Sequence, residues 1–205
     1  LGILHLDFFS APRVALTPLL AAIRLDSTRA ETYFDAARAH LAVKEERAAR
    51  KAADTAIRRD AAFAPPYHLL ARLYEKEGNE TAARVYYRRY LDQNPEDQTA
   101  AFEFAVGLIK KKRFAEAEEL ASRMADYRSL PLLAQALMER RDHDGAVTAF
   151  AEYIGQLPPK EQELYDDISL VAQPHEARAY QSTTPETRAA YLRDFWRRKD
   201  PFKTT

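Results

Sequence analysis

The chain has 205 residues, 46% of them hydrophobic and 30% charged, which is the chemistry of a globular protein and excludes a disordered or collagen-like chain. Lys plus Arg and Asp plus Glu stand at 31 each, so the formal net charge is zero and no global attraction to nucleic acid or to an anionic membrane is expected. The lack of Cys excludes disulfides, thiol nucleophiles and Cys-ligated metal centres, and only 5 Gly leave little room for Gly-rich phosphate loops.

Residues 1–9 are apolar but carry His5 and Asp7 and no basic stretch, so they do not read as a signal peptide. No apolar run approaches the roughly 18 residues that would span a bilayer. Ala15, Leu19 and Ala22 have the spacing of a second helix in a helix pair. Leu1-Gly2 sits one residue out of that register, which places an insertion near Ser10-Pro12. A chain that opens inside a first helix implies further protein upstream.

From residue 30 onward the pattern repeats. In residues 64–97, Tyr67, Leu70, Ala71, Tyr74, Gly78, Ala83, Tyr87 and Pro95 occupy positions 4, 7, 8, 11, 15, 20, 24 and 32 of a 34-residue unit. One unit earlier, Tyr33, Ala36, Ala37, Ala49, Ala53 and Ala56 fall at positions 4, 7, 8, 20, 24 and 27. One unit later, Phe104, Ala105, Leu108, Ala117, Ala121 and Met124 fall at 7, 8, 11, 20, 24 and 27. The next unit starts near Tyr127 after a shorter step of 29 and supplies Leu130, Leu133, Ala134, Leu137, Ala146, Phe150, Tyr153 and Pro158. Alanine pairs twelve residues apart mark every unit: Ala37/Ala49, Ala71/Ala83, Ala105/Ala117 and Ala134/Ala146. Each unit reads as two helices joined by a tight turn, with the alanines where the helices come closest and the larger positions filling the layer between pairs. The unit 98–126 lacks the terminal Pro, so its second helix or the loop after it must be short.

After Pro158-Pro159 the register stops. Residues 160–172 carry Leu164, Tyr165, Ile168, Leu170 and Val171, a helix or irregular apolar segment able to cover the open end of a repeat stack. Pro174 with His175-Glu176 reads as a helix start, and Thr184-Pro185-Glu186 as a second one. That last helix runs to about Lys199, ends before Asp200-Pro201, and gathers Ala189, Leu192, Phe195 and Trp196 on one face.

The repeat resembles the tetratricopeptide repeat over residues 1–160, most closely in 64–97; it departs from that pattern in having no Trp at position 4 and Ala in place of Gly at position 8. The resemblance implies an all-α, right-handed superhelical solenoid with units near 1–29, 30–63, 64–97, 98–126 and 127–160, followed by a helical extension at 161–205. It also implies a concave face lined by positions 2, 5, 9 and 12 of each unit. The candidate partner-binding residues on that face are Phe34, Arg38, His68, Arg72, Phe102, Val106, Ile109 and Gln135. Arg38, His68 and Arg72 form a polar half, where Arg can hold a carboxylate in two-point fashion; Phe102, Val106 and Ile109 form an apolar half suited to an amphipathic helix. The Lys and Asn set of the family's clamp for C-terminal carboxylates is not present at these positions, so that ligand is not implied.

Residues 164–201 resemble the opening of bacterial GWxTD domain-containing proteins through Tyr165, Asp167, Ile168, Phe195, Trp196, Arg198 or Lys199, Asp200 and Pro201. The name-giving tetrapeptide is absent. This likeness implies a bacterial, exported, periplasmic or membrane-peripheral setting, with a cytoplasmic one as the alternative, and a chain that continues beyond Thr205.

No catalytic constellation stands out. No two of the five His (His5, His40, His68, His143, His175) lie three or four apart, Asp142-His143-Asp144-Gly145 reads as a turn rather than a calcium loop, and no G-x-S-x-G elbow occurs. The run Lys110-Lys111-Lys112-Arg113 reads as a solvated helix end. The expectation is therefore a non-enzyme without metal, cofactor, nucleic acid or small-molecule substrate. It would be a protein–protein interaction scaffold or assembly subunit within a larger complex, a membrane-associated one included. The alternative is the regulatory or substrate-recruiting half of an enzyme whose catalytic part lies outside this chain.

Overall fold

The computed structural model describes residues 2–3, 11–166, 168 and 172–199, and among these every regular element is helical. The helices fall into two compact units, Leu1–Gly107 and Leu108–Thr205. Leu1, His5, Asp7, Ser10, Asp167, Leu170, Val171, Asp200 and Pro201 lie outside the described residues, as do the side chains of Ala189, Trp196, Arg197 and Lys199.

In the first unit, α1 spans Pro12–Leu25, α2 Ala30–Ala42, α3 Glu46–Arg59, α4 Pro65–Lys76 and α5 Glu80–Gln93; α6, Gln98–Lys110, carries the chain out of it. Neighbouring helices pack in sequence: α1 on α2, α2 on α3, α3 on α4, α4 on α5. Small residues make the close approaches. Ala15 and Leu19 of α1 meet Ala36 and Ala39 of α2, and Ala37, Ala53 and Leu70 form a second cluster. Ala49, Ala53 and Ala56 bury one stripe of α3 completely, since i, i+4 and i+7 share a helix face. At the chain start, Gly2 takes the part that Ala plays at position 8 of the later units. A β-carbon there would stand 2.7 Å from Leu19 Cγ, so the register slip in Leu1-Gly2 still ends in a small-residue contact against position 24.

The turn inside each pair is the same piece of backbone. Lys44, Gly78, Lys112 and Arg141, 34, 34 and 29 residues apart, all adopt positive φ, at 66°, 77°, 58° and 66°. In each, the next residue's N–H returns to a carbonyl five residues back: Glu45 to His40, Asn79 to Tyr74, Arg113 to Leu108 and Asp142 to Leu137, at 2.8–2.9 Å. This is the Schellman closure of a helix C-terminus. Asn79 and Asp142 then cap the following helices, accepting from Ala82 and Gly145 N–H at 3.1 and 3.0 Å. Asp142 thus spends its carboxylate on the backbone as the N-cap of a helix that starts at His143, so the stretch read from sequence as a turn is a helix start, and the turn itself lies at Arg140–Arg141.

In the second unit, α7 (Phe114–Ala121) has only eight residues, the shortening expected for unit 98–126. A 3-10 turn, Tyr127–Ser129, capped by Asp126, leads into α8 (Leu130–Glu139) and α9 (His143–Gln156). Then come α10 (Pro159–Asp166), α11 (Pro174–Gln181) and α12 (Pro185–Lys199). Tyr165 of α10 packs edge-on against Phe150 and Tyr153 of α9, with ring centroids at 5.7 and 6.3 Å, and Tyr127 stacks on Tyr153. Both predicted C-terminal helix starts, Pro174 and Pro185, hold. On α12 Phe195 is buried, while Tyr191, absent from the predicted face, donates its hydroxyl to the Glu176 carbonyl at 2.8 Å and packs against Tyr180. The alanine pairs are buried in every unit.

Candidate functional site

In the first unit a polar and aromatic cluster joins α4, α5 and the start of α6. Pro65 and Pro66 open α4, and the 3.6-residue period puts His68, Arg72 and Glu75 on neighbouring rows of one side, opposite buried Leu70. His68 Nε2 lies 2.9 Å from Glu103 Oε2, and its ring stacks on Tyr90 at 4.8 Å. Arg72 Nε lies 3.8 Å from the same Glu103 oxygen. The Arg72 side chain is 63% exposed and that of Glu103 35%, so the guanidinium is the outer member of this pair.

Below these, Tyr87 donates its hydroxyl to Glu75 Oε2 at 3.1 Å and stacks on Phe104 at 4.9 Å. Tyr90 donates to Asp97 Oδ2 at 2.7 Å, while the other Asp97 oxygen caps α6 by accepting the Ala100 N–H at 3.0 Å. Burial, then the neighbouring Glu75 charge, pushes the Tyr87 phenol well above its ordinary value. Burial and the bond to Asp97 push Tyr90 up to about 12. The Ala100 N–H, with Tyr90 and His68 adding to it, holds the Asp97 carboxyl below its usual range.

The sequence-predicted site residues divide as follows. His68 and Arg72 meet on Glu103. Phe102, on the same helix as Glu103, is 37% exposed, and Val106 is half-buried. Phe34 is half-buried and packs edge-on against Phe63 at 5.6 Å; Arg38 Nη1 lies 3.4 Å from Asp35 Oδ1, again with the guanidinium more exposed (39%) than the carboxylate (13%). Ile109, half-buried, and Gln135, exposed, belong to the second unit. Sequence reasoning missed Glu103, Glu75, Tyr87, Tyr90 and Asp97 as members of the cluster. Tyr87 and Tyr90, three apart on one helix, were the available signal; which carboxylates they would meet depends on how α4 and α6 stack.

The cluster can offer a guanidinium and an imidazole over an acidic and aromatic floor, an arrangement suited to holding an anion beside an apolar group. Among the described residues no group of three or more His, Asp or Glu is placed to hold a metal ion, and no helix is long and apolar enough to cross a membrane. A pocket of about 430 Å³, lined by Ala11, Pro12, Arg13, Val14, Ala42, Val43 and Lys44, shares no residue with the cluster.

Residues 64–109, which contain all of this cluster, match the tetratricopeptide repeat family. No curated protein matches the chain. Solved structures share its fold at low identity. YrrB, described as a tetratricopeptide repeat protein with an unusual peptide-binding site, is 18% identical, covering 80% of this chain and 87% of its own, with a TM-score of 0.64. MamA of AMB-1 is 14% identical over 84% and 94%, with a TM-score of 0.65. PilF of Pseudomonas aeruginosa is 14% identical over 96% and 94%, with a TM-score of 0.62.

Proposed function

We propose that this chain is a protein-interaction scaffold or assembly subunit whose repeats hold a segment of a partner protein on the first helices of the pairs within residues 1–107. The observation that carries the reading is the exposed guanidinium of Arg72 against Glu103, whose sequence neighbour Phe102 is also exposed. Arg38, one 34-residue unit earlier, lies beside Asp35 of its own helix, with the guanidinium again the more exposed partner. A partner segment with carboxylates and an apolar side chain matches that pairing. The peptide-binding site named for YrrB supports the same use of a shared fold.

Residues 161–205 act in this reading as the cover of the array's end. Tyr165 against Phe150 and Tyr153 supports it. Burial of Ile168 and Phe195 supports reading the stretch as the opening of a packed segment, as the likeness to GWxTD domain-containing proteins implies.

The test compares two double charge reversals on a partner captured by the native chain. Arg38→Glu with Arg72→Glu should weaken capture by roughly ten- to a hundredfold per lost charge-assisted contact. Lys111→Glu with Lys112→Glu, at a turn, should alter mainly the on-rate and its salt dependence. Loss of capture by the turn variant alone overturns the assignment.

A further inference from the structure

We infer that Glu103 is a resident competitor at the Arg72 and His68 site: it holds there the place that a carboxylate of an acidic partner segment takes on binding. The inference rests on the groove reading above and adds to it both the ligand's chemistry and a built-in restraint on its affinity.

Three observations carry it. First, the Glu103 to Arg72 contact is poor as ion pairs go. It is a single approach at Nε, 3.8 Å long, whereas Arg128 grips Asp126 through both Nε and Nη2. Arginine's fork is made for two parallel bonds, so a planar carboxylate arriving from solvent can offer Arg72 what Glu103 does not. Second, the layering is right. Arg72 is the more exposed partner, so an incoming anion meets the cation before it meets Glu103. Third, the other carboxylates of the cluster are committed inward. Glu75 is bonded to Tyr87, and Asp97 to Tyr90 and the Ala100 N–H. Glu103 contacts both His68 and Arg72, through one oxygen that the two share. Its negative charge beside them repels an acidic ligand and discounts the attraction of Arg72, which sets a modest affinity suited to reversible docking.

The consequence is that removing a groove carboxylate should strengthen binding. The probe is a short fluorescein-labelled peptide rich in glutamate and carrying one phenylalanine, compared by anisotropy with its glutamine counterpart on the full chain. Glu103→Gln keeps a hydrogen-bonding side chain for His68 and should bind the glutamate peptide about tenfold tighter than the native protein, with no gain for the glutamine peptide. Glu103→Asp, which keeps the charge on a shorter stem, should fall between. Adding Arg72→Gln to Glu103→Gln should abolish the gain. Glu80→Gln, the same charge change at the exposed start of α5, should give none of it. Melting curves of each variant establish that it is folded.

The inference is overturned if Glu103→Gln and Glu103→Asp, both folded, bind the glutamate peptide no tighter than the native chain. It is also overturned if Glu80→Gln matches the gain, or if the gain survives Arg72→Gln. These results leave the groove reading standing as long as Arg72→Gln alone weakens the glutamate peptide. Indifference of that peptide to both Arg38 and Arg72 removes the groove reading itself.

Discussion

Glu75 and Gly107 share one space. Glu75 Oε1 lies 2.7 Å from the point where a β-carbon on residue 107 would stand. The other oxygen of that carboxylate accepts the Tyr87 hydroxyl, and Tyr87 in turn stacks on Phe104. Gly107 sits inside a helix, where its backbone needs no special φ, so the carboxylate is what the missing side chain accommodates.

Gly107→Ala should therefore act with opposite sign in two backgrounds. In the native chain the added methyl moves Glu75 off Tyr87, and losing that half-buried hydrogen bond costs about 1–3 kcal/mol, more than the helix propensity of Ala returns. In a Glu75→Ala background only the propensity remains, and the same change should stabilise by up to about 1 kcal/mol. Thermal melts of the four variants close this cycle; equal effects in both backgrounds refute the coupling.

The four positive-φ turn residues give a second prediction. A side chain in the left-handed region costs roughly 1–2 kcal/mol that Gly does not incur. Lys44→Gly, Lys112→Gly and Arg141→Gly should each raise the melting temperature, and Gly78→Ala should lower it. The opposite order would mean that the cations contribute more at these helix ends than their backbone strain costs.

Ala71 is fully buried at the approach of α4 to its neighbours. Ala71→Leu should cost at least about 1–3 kcal/mol through overpacking. Ala115→Leu, on the exposed side of α7, should be close to neutral. Circular dichroism melts indistinguishable between the two variants would contradict the packing register.

The end of the chain can be tested without deleting it. Tyr165→Ala removes the edge-on contacts to Phe150 and Tyr153 and should cost about 1–3 kcal/mol, with increased association in light scattering as those rings are uncovered. Removal of residues 161–205 should do the same more severely. A monomeric truncated chain with an unchanged melt would show that the extension is independent of the repeats.

Asp97 and Tyr90 set stability at opposite ends of the pH scale. The folded state lowers the Asp97 carboxyl, so its contribution is complete above the unfolded value near 3.8 and is lost as pH falls through the lower folded value. The folded state raises Tyr90 to about 12, so its contribution is complete below the unfolded value of 10 and is lost between there and about 12. Asp97→Asn should flatten the acid limb and weaken the alkaline one in melts followed across pH. A variant with both limbs unchanged would show that neither group is coupled to folding.

How much of this was legible beforehand follows from what kind of information each feature needs. The all-helical fold and the helix pairs were readable because periodicity is local. Ala37 and Ala49, or Ala71 and Ala83, can be found by counting, and small size at a fixed spacing has one physical use in packed helices. The short α7 followed from a missing Pro and a step of 29, and the starts of α11 and α12 from Pro174 and Pro185, because caps and prolines act within one turn. Positive φ at Lys44, Lys112 and Arg141 was not readable, since only Gly78 advertises it; the closure of the helix end imposes it on whatever residue stands there.

The cluster around Arg72 was half readable. His68 and Arg72 could be placed on a helix face by spacing. Their partners could not, because Glu103 meets His68 and Arg72 across 35 and 31 residues of chain, and Gly107 makes room for a carboxylate on another helix. Such pairings depend on the distance and rotation between stacked helices. Those are set by the summed packing of α4, α5 and α6, and no single stretch of sequence carries them. The sequence determined which residues could be charged neighbours; the tertiary structure decided that Arg72 would stand outermost with an internal carboxylate beneath it.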